Sequence, residues 1–127
     1  MDYSTEIKVG QLSNALNAIL REYGDKAIWA IQDAATKAGK EAAKTLRETS
    51  PKKDGKYAKG WTTKTENERM RTVTIVYNKS KPSLTHLLEF GHANDNGGRT
   101  PAHPHIAPAN DEAQKRFLEL VEEALDG

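Results

Sequence analysis

The sequence predicts an α+β fold: a long N-terminal helical segment, a small antiparallel β-sheet, a short helix and a C-terminal helix. Three observations predict it. Apolar residues recur every three or four positions through the first 50 residues and again after residue 108, the period of one helix face. Between these stretches, two runs rich in Thr, Val, Ile and aromatics alternate with period two, the period of a strand. Pro, Gly and Asn punctuate the joints. A length of 127 residues suits one domain, 1–127, divisible into a helical arm (1–50) and a sheet with the C-terminal helix (51–127).

Over 11–23 the stripe Leu12, Leu16, Ile19, Leu20, Tyr23 defines the first helix, and Gly24 breaks it. Asp25 is placed to cap a second helix carrying Ile28, Ile31, Ala34, Ala35, Ala38, Ala42 and Leu46, which ends near Thr49 before Pro51. That helix is about 36 Å long at 1.5 Å per residue. Its stripe passes from isoleucine to alanine, so its second half either packs very closely or packs against little. Residues 50–60, rich in Lys, Pro and Gly, read as a loop. Two strands follow at 60–65 (Trp61, Thr63 and Thr65 on one face) and 71–78 (Val73, Ile75 and Tyr77 on one face), paired as a hairpin across the polar 66–70. The Thr-rich face is expected to be wet. A short helix at 83–90 stops at Gly91, residues 92–100 read as a mobile loop, and Pro101, Pro104 and Pro108 hold an extended return. The last helix is expected over 109–125, with Ala113, Phe117, Leu120, Val121 and Leu125 inward.

Nineteen Lys and Arg against 18 Asp and Glu leave a net charge of +1, which excludes a nucleic-acid binder working through overall charge. The balance is local, not uniform. Residues 37–64 carry 9 basic and 3 acidic side chains, net +6, and residues 110–127 carry 2 and 6, net −4. Such segments pair within one copy, pair between copies, or simply face solvent. The chain has no cysteine, which removes disulfides, thiol catalysis and cysteine-ligated metals. Residues 1–10 lack the apolar run of a signal peptide, and no stretch approaches a membrane span, so no membrane partner is expected.

All four histidines lie between 86 and 105, and His86 and Glu89 share a helix face, yet the second helical histidine of a zinc-protease motif is missing. Neither a metal nor any other cofactor is expected. Glu89, at a helix end, is better suited to binding backbone amides or a Lys or Arg than to general-base work. No serine sits on a glycine-flanked elbow and no phosphate-loop spacing occurs, so no catalytic residue and no enzyme is expected. Lys52, Lys53, Lys56, Lys59 and Lys64, with Tyr57 and Trp61 interleaved, are compatible with phosphate contacts and base stacking, the alternative reading as a small nucleic-acid-binding protein.

The segment Leu84-Thr85-His86-Leu87-Leu88-Glu89-Phe90-Gly91-His92, a glycine-rich gap, and then Pro101-Ala102-His103-Pro104-His105-Ile106-Ala107-Pro108-Ala109 resembles the signature of siphophage tail-completion, or head-to-tail joining, proteins. Upstream, Thr49-Ser50-Pro51, Asp54-Gly55 and Trp61 resemble that family's helix end, turn and first strand. The resemblance spans roughly residues 40–125, and its motifs, Pro51, Gly55, Trp61, Phe90, Gly91, Pro104 and Pro108, are structural. Where the family often has Thr after the Gly, this chain has His92. The resemblance implies a non-enzymatic virion morphogenesis protein of the neck, assembled in the cytoplasm of the bacterial host. Implied partners are other copies of the chain, a connector or head-completion protein, a tail terminator, and DNA passing through the assembly. Candidate interaction residues are Lys52, Lys53, Lys56 and Lys59, with Glu89, His92, Asn94, Asp95 and Arg99 around the loop.

Overall fold

A computed structural model of the chain describes residues 6–53, 55–68 and 71–126. In chain order the elements are β1 (Ile7–Val9), α1 (Asn14–Tyr23), α2 (Asp25–Thr49), α3 (Lys56–Lys59), β2 (Trp61–Glu68) and β3 (Arg71–Asn78). A 3₁₀ turn at Pro82–Leu84 leads into α4 (Thr85–Phe90), followed by β4 (His92–Ala93), β5 (Arg99–Thr100) and α5 (Ile106–Asp126). The α+β class, with its long N-terminal helix, small antiparallel sheet, short helix and C-terminal helix, is the expected one.

Helix α1 starts later than expected because Ser13 caps it, its Oγ accepting the Leu16 amide at 3.1 Å. Leu12 therefore falls before the helix, 54% exposed. The break at Gly24 takes a positive φ of 61°, and Asp25 is the first helical residue of α2, not its cap. Helix α2 is the spine of the molecule: it packs on α5, on all three strands of the main sheet and on α3. Its alanine half is the closely packed alternative. Ala38 and Ala42 face Ala109 and Ala113 of α5 on one side, all four buried, across a small cavity of about 130 Å³. Towards the sheet, a Cβ built on Gly39 would lie 2.5 Å from Thr74 Cγ2. The missing side chain at Gly39 lets α2 approach the sheet closely, so on that side fit rather than side-chain size holds the layers together.

The sheet runs β1-β3-β2, antiparallel throughout. Its register pairs Thr63 with Val76 and Thr65 with Thr74, and on the other edge Ile7 with Val76 and Val9 with Thr74. These residues share the face turned to α2. The expectation of a wet Thr-rich face is therefore corrected: Thr74 is 2% exposed, and Ile7, Val9 and Val76 are buried beside it. Val73 and Ile75, on the opposite face, are buried as well; Ile75 is flanked in register by Lys8 and Lys64. Lys64 also lies 4.9 Å from the centre of the Tyr77 ring, a cation-π contact that drapes its stem over that face. The polar connection expected over 66–70 is shorter than that: β2 continues to Glu68, which pairs with Arg71, and residues 69–70 lie outside the described residues.

Helix α5 runs antiparallel to α2. Arg116 Nε donates to Glu41 Oε2 at 3.2 Å near mid-helix. Tyr23 at the α1–α2 turn has its pKa raised, first by Glu22 and further by Asp126 and Glu122, which places the last turn of α5 beside that turn. Among the described residues, no helix is long and apolar enough to cross a membrane.

Candidate functional site

The chemistry-bearing side chains gather where α2 ends, at the junction of α3, β2, α4 and the start of α5. Trp61, 1% exposed, donates its indole N–H to Ser50 Oγ at 2.8 Å, and Arg47 donates to the Trp61 carbonyl at 2.8 Å. Burying that ring stabilises by roughly 2–3 kcal/mol. Asn78, also buried, donates to the Tyr57 carbonyl at 2.8 Å while its Oδ1 accepts the Ser80 and Lys81 amides at 3.2 and 2.9 Å. Lys79 N–H reaches the Gly60 carbonyl at 3.0 Å. One asparagine thus ties the 79–81 turn to α3. The loop expected over 50–60 contains this one-turn helix, entered through Gly55 at φ +82°.

Glu89 is the clasp of the junction. Its carboxylate, 3% exposed, accepts the amides of His105 (2.8 Å), Ile106 (2.7 Å) and Ala107 (2.9 Å), the first turn of α5. Residue 108 is proline, with no amide to satisfy, and the Ala109 amide already bonds the His105 carbonyl at 3.4 Å. The helix start is thereby fully partnered, and a negative charge sits where the helix dipole favours it. Pro108 belongs to the first helical turn, where its fixed φ is tolerated, so α5 begins three residues before the expected position.

His105, 4% exposed, completes the cluster. Its Nδ1 lies 2.7 Å from the His103 carbonyl, which can only accept, so Nδ1 carries a proton; Glu89 Oε1 is 3.0 Å from the same atom. In the neutral tautomer this leaves Nε2 to accept the Tyr57 hydroxyl at 2.7 Å. Burial first, and then the Glu89 charge, push the Tyr57 pKa up, so this phenol stays a donor. The rings of Tyr57, Trp61 and His105 meet edge to face, with centroids 5.6–6.3 Å apart.

Beyond α4, Gly91 has φ +74°, and a Cβ there would meet the Thr100 carbonyl oxygen at 2.5 Å, so the chain can turn only through glycine. Residues 92–100 are not structureless, as was expected, but a short hairpin. His92 pairs with Thr100 and Ala93 with Arg99, while the Asn94 amide bonds the Gly98 carbonyl at 2.8 Å. Asn94 Oδ1 accepts the Thr100 hydroxyl at 2.9 Å, and Arg99 donates to the Phe90 carbonyl at 3.2 Å. The His103 amide, bonded to the Leu88 carbonyl at 2.7 Å, fastens the returning strand to α4.

Of the expected interaction residues, Lys52, Lys53, Lys56 and Lys59 are exposed around α3, Asp95 and Arg99 are exposed on the hairpin, and His92 and Asn94 are half-buried at its base. Glu89 is interior and committed to α5. Tyr57 and Trp61 are buried, at 5% and 1% exposure, so neither offers a face for base stacking. The four histidines do not converge: among the described residues no group of three or more His, Asp or Glu is placed to hold a metal. Sequence reasoning missed His105, Asn78, Lys79 and Lys81. The lysines flank Ser80, remote in sequence from 52–59, and the β2–β3 pairing with the Asn78 and Gly60 bonds brings the two segments together.

Residues 14–91 match the family model described as "Bacteriophage HK97-gp10, putative tail-component". That is more than half of the chain, from α1 to the glycine that ends α4. The chain belongs to the HK97-gp10-like family. No curated protein and no solved structure gives a significant match. The family span includes α1, α2, strands β2 and β3 and Glu89 itself; β1 precedes it, and the hairpin and the α5 amides that Glu89 binds follow it. A phage tail component is a virion protein and implies contact with other virion proteins.

Proposed function

We propose that this HK97-gp10-like protein is a structural, non-enzymatic subunit of the head-to-tail junction, completing the tail or neck so that heads and tails join. Membership in a phage tail-component family carries the reading. The arrangement around the clasp supports it. The cluster most like a catalytic relay, Glu89, His105 and Tyr57, is sealed at 3–5% exposure and spends its hydrogen bonds on backbone and on itself. That suits a scaffold. What the scaffold presents is a hairpin with an exposed tip at 95–98, set between Gly91 and the proline-stiffened return, beside a Phe90 that is 47% exposed. The neighbours in this reading are a connector or head-completion protein on one side and a tail terminator on the other.

Electron microscopy of lysates from the phage lacking this gene tests the proposal. Filled heads and finished tails should accumulate unjoined, and supplying the protein in trans should restore joined particles. Normal virions, or loss of tails altogether, would contradict a joining role.

A further inference from the structure

We infer that the two charged ends of the molecule are the two halves of one contact between copies, the lysine-rich end of one protomer docking on the acidic end of the next. This names a neighbour for the virion subunit and rests on that reading for its setting.

The lysine-rich end is assembled by the fold. Lys52, Lys53 and Lys59 surround α3, and the Asn78 and Gly60 bonds bring Lys79 and Lys81 beside them, all five exposed. Opposing charge from neighbouring elements is scarce: Glu48, whose backbone carbonyl accepts from Lys52, is the one carboxylate among described residues at the end of α2, and Arg47, which donates to the Trp61 carbonyl, adds to the positive charge there. The acidic end gathers Glu119, Glu122, Glu123 and Asp126 from the last turns of α5 with Glu22 and Asp25 at the α1–α2 turn, against Arg21, Lys26 and Arg116. Arg116 is shared among Glu41, Glu119 and Glu123 at 3.2, 3.6 and 3.9 Å. Among the described residues, Lys53, Lys59, Lys79, Lys81, Glu122 and Asp126 form no ion pair within the chain.

Length decides where these charges pair. The lysines lie at the C-terminal end of α2 and the carboxylates at its N-terminal end, separated by 25 residues of helix. That is about 36 Å, several times the screening length of ~8 Å in physiological salt. Pairing within one copy is geometrically closed, and complementary charge selects a second copy as the occupant. The two surfaces differ, so the contact is heterologous and each added copy leaves one end of each sign open until a ring closes. At the acidic end Trp29, one turn into α2, is 67% exposed. A tryptophan face with carboxylates nearby is a suitable seat for lysine ammonium groups and their stems.

The test uses the full-length protein and two charge reversals, K53E/K59E/K79E/K81E and E122K/E123K/D126K, each checked for folding by circular dichroism and thermal melting. Light scattering should find the natural chain self-associating at about 50 mM NaCl and dissociating at about 500 mM. Each variant alone should self-associate at least about tenfold more weakly, and mixing the two should restore assembly, since one then carries two acidic ends and the other two basic ends. A natural chain that is monomeric at every salt, a variant that assembles alone, or a mixture that stays dissociated would overturn the inference. So would a monomer whose lysine end retards duplex DNA, which would assign that surface to nucleic acid. None of these outcomes touches the joining role, which is read separately from phage particles.

Discussion

Glu89→Ala leaves the first amides of α5 without their acceptor and removes the charge from the helix start. It should cost about 2–4 kcal/mol, since hydrogen bonds to a buried charge each contribute about 1.5–3 kcal/mol and solvent entering the gap recovers part. Thermal unfolding should show a melting point lower by roughly 10 °C. Glu89→Gln keeps one acceptor and turns an amide donor on the Ala107 N–H, so it should lose about half as much; an unchanged melting point in both variants would remove the clasp from the account. Tyr57 sets a different dependence. Its folded pKa is raised above the ordinary value of 10, so the folded state holds this proton more tightly than the unfolded one. The stabilisation is complete below pH 10 and is lost as pH rises toward the folded value. Tyr57→Phe strands His105 Nε2 and should cost about 1–2 kcal/mol at pH 7. The variant lacks the alkaline descent, so the gap between the two melting curves should narrow above pH 10. A constant gap would show that folding does not raise the Tyr57 pKa.

Gly39 is the point where α2 and the sheet touch most closely. Helix propensity favours Gly39→Ala by about 1 kcal/mol, but the new methyl meets Thr74 Cγ2 at 2.5 Å. Overpacking should win, with a net loss of about 1–2 kcal/mol. Pairing it with Thr74→Ser, which deletes the clashing methyl, should recover most of that loss in a double-mutant cycle; simple additivity would contradict the contact. Among the described residues, the buried Thr74 Oγ1 has no hydrogen-bond partner. Periodicity made α2, β3 and α5 legible because each buries a stripe several residues long, and α1, β2 and α4 legible from their spacing although, among the described residues, they fully bury only one or two each. It could not reveal β1, whose three residues Ile7–Val9 are too few to show alternation, nor the two-residue strands β4 and β5, which side-chain and backbone bonds around Asn94 hold. Assigning the Thr-rich face to solvent failed because hydroxyl-bearing side chains are small: next to Gly39, fit outweighed polarity.

For the whole molecule, the charge asymmetry was legible in the segment sums but its meaning was not, because a net +6 and a net −4 acquire direction only when α2 holds them apart. The Glu89 clasp was half legible. A carboxylate at a helix end suggested backbone amides, but the amides belong to α5, 16 to 18 residues on, and no spacing rule announces a cap supplied across a hairpin. His105, read as one of four histidines without a site, is the interior hub that joins Tyr57 to that clasp. The hairpin tip at 95–98 is exposed, and the chain contains no cysteine, so one thiol placed there is unique. Asp95→Cys in the exposed tip, labelled with gold on purified virions, reports directly on position. Gold confined to one band between head and tail is the predicted result; gold along the tail, at its distal tip, or absent from virions would contradict a subunit of the junction.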